Sequence, residues 1–401
     1  MRSSRFVVGS LAAAMLAVSA PAPAVAAAEG LTLTLPAPTG RYAVGESSFR
    51  LVDRTRPDPW VPAQPYRELM ISVFHPTIHS GDSPVTRQFP PAVAAVAGGN
   101  LGLPAGLVDW ASTETHSVRD AAMAPGRFPV VLYSPGAGDP RDWNVSLVED
   151  LASRGFVVVT IDHTGDGPAV RFPDGHVTGN GPLLALWNEA YRTGTTPAFF
   201  RKLMEARTAD TSLVLDRLPS LPGGLNAGMD LRRIGMFGQS AGGFTAANTM
   251  YTDPRIKAGV DMDGTLEYSA KPDGTNLSEV AAHGLDRPFL LLGSSPAASG
   301  SDIHREPSWA AFWRHQHGWK ADVTLDDSGH ASFTDAEALL PQLTGRVPAE
   351  TLAAAIGTVD GRRAVTATRA LVASFFTRFL KGHDDHLLDG DASGHPITFV
   401  R

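Results

Sequence analysis

A doubly wound α/β fold with a mostly parallel sheet is what this sequence predicts, on three observations. From residue 128 onward, short unbroken apolar runs alternate with stretches of helical length and helical apolar spacing. The joints between them are short, as right-handed parallel crossovers require. A Gly-x-Ser-x-Gly pentapeptide, Gly238-Gln239-Ser240-Ala241-Gly242, stands where one such run gives way to a helix.

The first 28 residues stand apart from this pattern. Arg2 and Arg5 precede an apolar stretch over 6–20, and Ala26-Ala27-Ala28 offers a small-residue cleavage site ahead of Glu29. That arrangement predicts a secretory signal peptide and an extracellular location. The apolar stretch is too short to span a bilayer, and Pro21 and Pro23 end it.

Residues 29–401 are then read as one α/β domain. Segments 47–52 and 68–74 have strand character and flank the loop Arg56-Pro57-Asp58-Pro59-Trp60, which predicts two antiparallel edge strands. Residues 77–127, rich in Ala, Gly and Pro with a weak helical pattern over 91–110, read as an insertion covering part of the sheet. Segments 129–133 and 156–161 are buried strands joined by an amphipathic helix over 142–153. After Asp162, the polar and Gly/Pro-containing residues 164–196 predict a cap or loops over a cleft. A helix with apolar positions Leu203, Ala206, Leu213, Val214 and Leu218 continues to Pro219. Beyond the pentapeptide, strands at 256–262, 288–292 and 321–325 alternate with a helix over 306–317, and helices over 348–356 and 362–380 close the chain.

Composition narrows the function. None of the 401 residues is cysteine, which excludes disulfides, thiolate metal sites and a cysteine nucleophile. The formal net charge of −7, about −9 once Arg2 and Arg5 leave with the signal peptide, gives no electrostatic case for nucleic acid. No later segment is apolar enough for a stable membrane anchor, although transient contact with a lipid interface is compatible with the composition.

The pentapeptide places Ser240 on a tight turn between strand and helix. Gly238 and Gly242 let the two elements approach, because neither carries a Cβ. A serine hydroxyl needs a base within hydrogen-bond reach and a group that fixes the tautomer of that base. His330, in Asp327-Ser328-Gly329-His330-Ala331-Ser332-Phe333 directly after the last predicted strand, is the candidate base. His315 and His317 lie on a helix beside Trp313 and Trp319, and His283 and His304 flank the wrong strand ends. His383 and His386, with Asp384, Asp385 and Asp389, sit in an acidic segment without regular ligand spacing, so a solvated tail is expected there and neither metal nor cofactor is called for.

The acid is a choice between strand ends. Asp261 and Asp263 share a side of one extended strand, and Asp302 is the nearest acid after the next. Asp263, at the strand end beside Gly264, is preferred; Asp261 reads as a structural acid and Asp302 as the runner-up. Two backbone donors complete the chemistry of acyl transfer: the amide of Ala241, and that of Ala137 in Ser134-Pro135-Gly136-Ala137-Gly138 after the first parallel strand.

These residues resemble the platelet-activating factor acetylhydrolases of the plasma and intracellular type II kind and their actinobacterial relatives. The likeness lies in Pro38 to Gly45, Phe128 to Gly138, Leu151 to Phe156, Gly238 to Gly243, and His330 to Asp335. The resemblance implies the α/β-hydrolase fold, a serine esterase, and a triad acid after the strand that follows the elbow, which favours Asp263. Where that family usually has Ser-His-Gly this chain has Ser134-Pro135-Gly136, and Gln239 stands where its elbow commonly has His.

The expected function is that of a secreted serine carboxylic-ester hydrolase working through an acyl-enzyme on short-acyl esters, including acetyl or oxidised short-chain phospholipids. Polyester, lipase-type, amide or lactone hydrolysis on the same residues is the alternative within the enzyme class. A binding protein that kept the fold without turnover is the alternative outside it.

Overall fold

The computed structural model describes residues 30–78, 84–295, 302–390 and 394–401, so the predicted signal peptide lies outside the described residues. Its strands are, in chain order, β1 (Ala43–Asp53), β2 (Arg67–Thr77), β3 (Val85–Arg87), β4 (Glu114–Arg119), β5 (Phe128–Ser134), β6 (Val157–Ile161), β7 (Ala169–Arg171), β8 (Val177–Gly179), β9 (Met229–Gln239), β10 (Ile256–Met262), β11 (Phe289–Ser294), β12 (Lys320–Leu325) and β13 (Ile397–Phe399). All but β7 and β8 join one sheet in the order β13-β12-β11-β10-β9-β5-β6-β2-β1-β4-β3. The run from β6 through β5, β9, β10 and β11 to β12 is parallel. This is the doubly wound, mostly parallel α/β architecture that the apolar runs predict, and it is consistent with the α/β-hydrolase fold that the resemblance implies.

The central strands are apolar on both faces because helices cover both. In β5, Val131 and Tyr133 join the apolar layer that includes Val148, Leu151, Leu371 and Phe375 of the helices Val145–Ser153 and Gly361–Phe376. Val130 and Leu132 point the other way, toward Leu203, Phe244 and Trp309 of the helices Thr196–Arg217, Ala241–Thr252 and Pro307–His315. Every residue of β5, β6 and β11 is buried, and the alternation of side chains divides them between the two layers.

Three expectations are corrected at the margins. β1 and β2 pair antiparallel, but they are interior strands, because β4 and β3 lie beyond them. The segment read as a covering insertion therefore extends the sheet, and its helical pattern yields the short turn of α-helix Pro91–Ala94 and the 3-10 turns Gly99–Leu101 and Trp110–Ser112. Finally, β12 is not the last strand: β13 returns antiparallel along its outer edge. The region after Asp162 folds as the β7–β8 hairpin and the helix Gly181–Thr193, ahead of the long helix Thr196–Arg217.

Candidate active site

The parallel strands end together, and the predicted site residues lie on the turns that leave them. Ser240 follows β9 directly with φ 56° and ψ −123°, a conformation that side-chain-bearing residues rarely adopt. The turn has no spare volume. A Cβ at Gly238 would lie 2.2 Å from the Gly242 carbonyl carbon, and one at Gly242 would lie 1.9 Å from the Ser134 carbonyl oxygen. At Gly243 it would lie 1.7 Å from Asp261 Oδ1. The Ser240 amide donates to the Met262 carbonyl oxygen at 2.8 Å, which fixes the turn to the end of β10.

Asp263, also with positive φ (62°), leaves β10 and brings its carboxylate to His330: Nδ1 and Oδ2 are 2.5 Å apart. The amide and hydroxyl of Ser294, at the end of β11, donate to the same carboxylate at 2.8 and 3.0 Å. Burial opposes ionisation of Asp263, yet the hydrogen bond and charge of His330 and the two bonds from Ser294 outweigh it and hold the acid below its ordinary range. Burial likewise opposes charging His330, and the Asp263 hydrogen bond with the negative charges of Asp263 and Asp139 overcomes it, raising the imidazole above its ordinary value.

An Nδ1–H held by a carboxylate leaves the Nε2 lone pair free to accept a proton. In this structure Nε2 faces the Gln239 side-chain nitrogen at 3.1 Å, and that nitrogen also donates to the His330 carbonyl oxygen at 3.2 Å. Among the described residues, Ser240 Oγ makes no hydrogen bond to His330. Ser240 is 7% exposed and the His330 side chain 29%, so the imidazole is the more accessible of the two.

Ala137 lies in the loop after β5, and Ser134 and Pro135, where the strand gives way to that loop, lie against Gly242. Among the described residues no acceptor takes the amide of Ala137 or of Ala241, whereas the neighbouring Gly138 amide donates to Asp166 at 3.0 Å. Two small recesses open nearby, one reaching Gly138 and the other Ala241. One of about 50 Å³ is lined by Val96, Ala97, Leu101, Gly138, Asp139 and Trp143. The other, about 10 Å³, is lined by Phe200, Met204, Ala241, Phe244, Thr265 and Glu267 among others.

The remaining candidates lie elsewhere. Asp302 caps a short turn, accepting from the His304 amide at 3.1 Å and pairing with Arg305. Asp261 is fully buried and accepts from the Gly264 amide at 2.9 Å, while burial pushes its carboxyl well above the usual range. His304 is buried against Asp322 at 2.6 Å. Ligand atoms of Asp384, His386 and Asp389 lie within 4.8 Å of one another on the surface, but Arg378 pairs with both aspartates and His386 with Asp389.

Sequence reasoning passed over three groups that touch this site: Ser294, the side chain of Gln239, and Asp139. Asp139 is half-buried beside Gly136, and burial pushes its carboxyl up to about 7 against the pull of His330 and Arg207. A polar end to the otherwise apolar β11 was the available signal for Ser294.

Known proteins agree with this architecture. Residues 106–171 match the family model described as platelet-activating factor acetylhydrolase, isoform II. A probable 1-alkyl-2-acetylglycerophosphocholine esterase of Arthroderma benhamiae is 27% identical over 91% of this chain and 93% of its own length. The platelet-activating factor acetylhydrolase of Cavia porcellus is 22% identical over 66% of this chain and 62% of its own. The solved structure of a ferulic acid esterase from Streptomyces cinnamoneus superposes with a TM-score of 0.77 at 32% identity, covering 92% of this chain and all of that one. The chain belongs to the α/β-hydrolase superfamily and is related to the platelet-activating factor acetylhydrolase family and to the Streptomyces cinnamoneus esterase.

Proposed function

We propose that this protein is an exported, cofactor-free serine carboxylic-ester hydrolase. The observation that carries the reading is the juxtaposition of a strained Ser240, an Asp263–His330 pair that leaves Nε2 as the basic nitrogen, and two uncommitted amides at Ala137 and Ala241. Ser240 Oγ attacks the ester carbonyl while His330 Nε2 takes its proton, which requires Gln239 to yield its contact. Such contacts commonly rearrange when substrate binds. The amides of Ala137 and Ala241 receive the developing oxyanion, each contributing about 3 kcal/mol of transition-state stabilisation. His330 then protonates the leaving alkoxide, and water repeats the sequence on the acyl-enzyme.

The acyl group we propose is short. The recess beside Ala241 is narrow and walled by the bulky side chains of Phe200, Met204 and Phe244. The name of the Arthroderma benhamiae relative points to an acetyl ester of an alkyl glycerophosphocholine. A second reading, hydrolysis of a feruloyl-type ester, is favoured by the likeness to the Streptomyces cinnamoneus esterase. Turnover of p-nitrophenyl esters from acetate to decanoate, with methyl ferulate alongside and Ser240→Ala as control, decides between them. Highest kcat/KM on acetate or butyrate, absent in the variant, supports the first reading. Preference for ferulate supports the second, and wild-type turnover by Ser240→Ala rejects both.

A further inference from the structure

The loop that carries the Ala137 amide is held from behind by a buried ion pair drawn from two other parts of the chain. Arg207, in the middle of the helix Thr196–Arg217, is 1% exposed. Its Nη1 donates to the Pro135 carbonyl oxygen at 2.7 Å and its Nη2 to the Gly136 carbonyl oxygen at 3.0 Å. Its Nε donates to Asp166 Oδ2 at 2.6 Å, and Asp166 Oδ1 accepts from the Gly138 amide at 3.0 Å. The pair thus grips the peptide groups on both sides of Ala137 and leaves the Ala137 N–H itself unengaged.

The Gly136 carbonyl and the Ala137 N–H belong to one planar trans peptide, so they point in opposite directions. Fixing the carbonyl on Arg207 therefore fixes the direction of the N–H. A guanidinium on the carbonyl oxygen also draws charge through the amide and makes its N–H the stronger donor, the polarisation found in hydrogen-bonded chains. Asp166 supplies the counter-charge that makes a buried guanidinium tolerable while anchoring the far end of the loop.

We propose that Arg207, neutralised by Asp166, is a positioning residue that aims and strengthens the Ala137 oxyanion donor; this rests on the reading of Ser240 as the nucleophile. Its effect belongs to the transition state, because a ground-state ester carbonyl carries little charge for that donor to meet.

Arg207→Lys keeps the charge but cannot span both carbonyls and Asp166. In the folded variant, kcat on the best p-nitrophenyl ester falls about 10- to 100-fold while KM stays within about threefold. Affinity for a trifluoromethyl ketone of the same acyl length, whose adduct with serine places an oxyanion in the hole, falls in parallel with kcat. Arg207→Gln combined with Asp166→Asn, which carries no buried charge, provides the same measurement should the lysine variant fail to fold. Wild-type kcat and inhibitor affinity in a folded variant would overturn the proposal. So would a loss confined to KM, or collapse of the fold in both variants, since the pair would then be structural alone. Ser240→Ala measured beside them separates the two failures: an active serine variant removes the nucleophile reading, whereas an inactive one beside an unimpaired Arg207→Lys removes only this inference.

Discussion

Two sets of serine, histidine and aspartate stand out among the described residues, and the better connected one is the less suited to chemistry. In the first, Ser134 Oγ lies 2.9 Å from His163 Nε2, and His163 Nδ1 lies 3.1 Å from Asp210 Oδ2. In the second, Asp263 and His330 are joined but Ser240 is not bonded to the imidazole. Ser134 and Asp210 are fully buried and His163 is 3% exposed, so no ester reaches them. Their surroundings also make the inner imidazole the weaker base. Burial lowers the His163 imidazole, helped by Arg207, while Arg67 and His163 hold Asp210 far below the carboxylate range against its own burial. Both Arg67 and Arg56 donate to Asp210, at 2.7 and 2.5 Å. The inner set is a strut between β5, β6 and the long helix; the outer set has access, a basic nitrogen with a raised affinity for protons, and nearby donors. Connectivity alone does not make a hydrolytic site.

Exchanging the serines breaks the comparison most sharply. Ser240→Ala is expected to lower kcat by about 10⁶-fold at unchanged stability, whereas Ser134→Ala keeps kcat within about threefold and shifts only the unfolding midpoint. Ester turnover and urea denaturation of both variants measure the contrast. The two acids separate next. Asp263→Asn imposes the wrong tautomer on His330 and costs about 10⁴-fold in kcat. Asp210→Asn strips a buried charge from Arg67 and costs about 3–5 kcal/mol of stability, read from chemical denaturation.

A pH profile sharpens the comparison further. The base must be neutral to act, and His330 has a raised affinity for protons, so the acidic limb of kcat/KM lies above about 6.5. Asp139→Asn removes one of the negative charges that raise it, so that limb moves to lower pH; a limb that stays or moves upward would show that Asp139 does not face the imidazole. The smallest effect is assigned to Gln239→Ala. Loss of its bonds to the His330 ring and carbonyl costs about 1 kcal/mol of stability, with kcat changed by no more than about threefold.

The parallel strands were legible because each is a short run of apolar residues with both faces covered, and the turn at Ser240 because its glycines occupy fixed offsets. The added strands were not. β3 has only three residues, and β4 turns Thr115 and Ser117 inward, where Thr86 and Thr115 hydroxyls meet at 2.6 Å and Ser117 donates to Glu149 at 2.5 Å. A strand whose buried face is polar gives no apolar alternation to read. The inner Ser134–His163–Asp210 set and the Arg207–Asp166 pair were equally hidden. Their members come from three separate parts of the chain, β5, the loop after β6 and the helix Thr196–Arg217, and no spacing along the chain announces that Arg67, Asp166, Arg207 and Asp210 are buried together. Asp263 and His330 stand 67 residues apart, and what linked them was the convergence of loops at one end of a parallel sheet together with the family resemblance.

The backbone at Ser240 carries a further consequence. A residue with a Cβ at φ 56° and ψ −123° is held there at a cost of about 1–3 kcal/mol, which glycine would not incur. Glycine would retain the amide bond to Met262 and relieve the strain, so Ser240→Gly is expected to unfold at a higher temperature than the native chain. Thermodynamics and selection therefore pull this position in opposite directions, and a lineage released from the need to turn over its substrate could discard the hydroxyl by a downhill step.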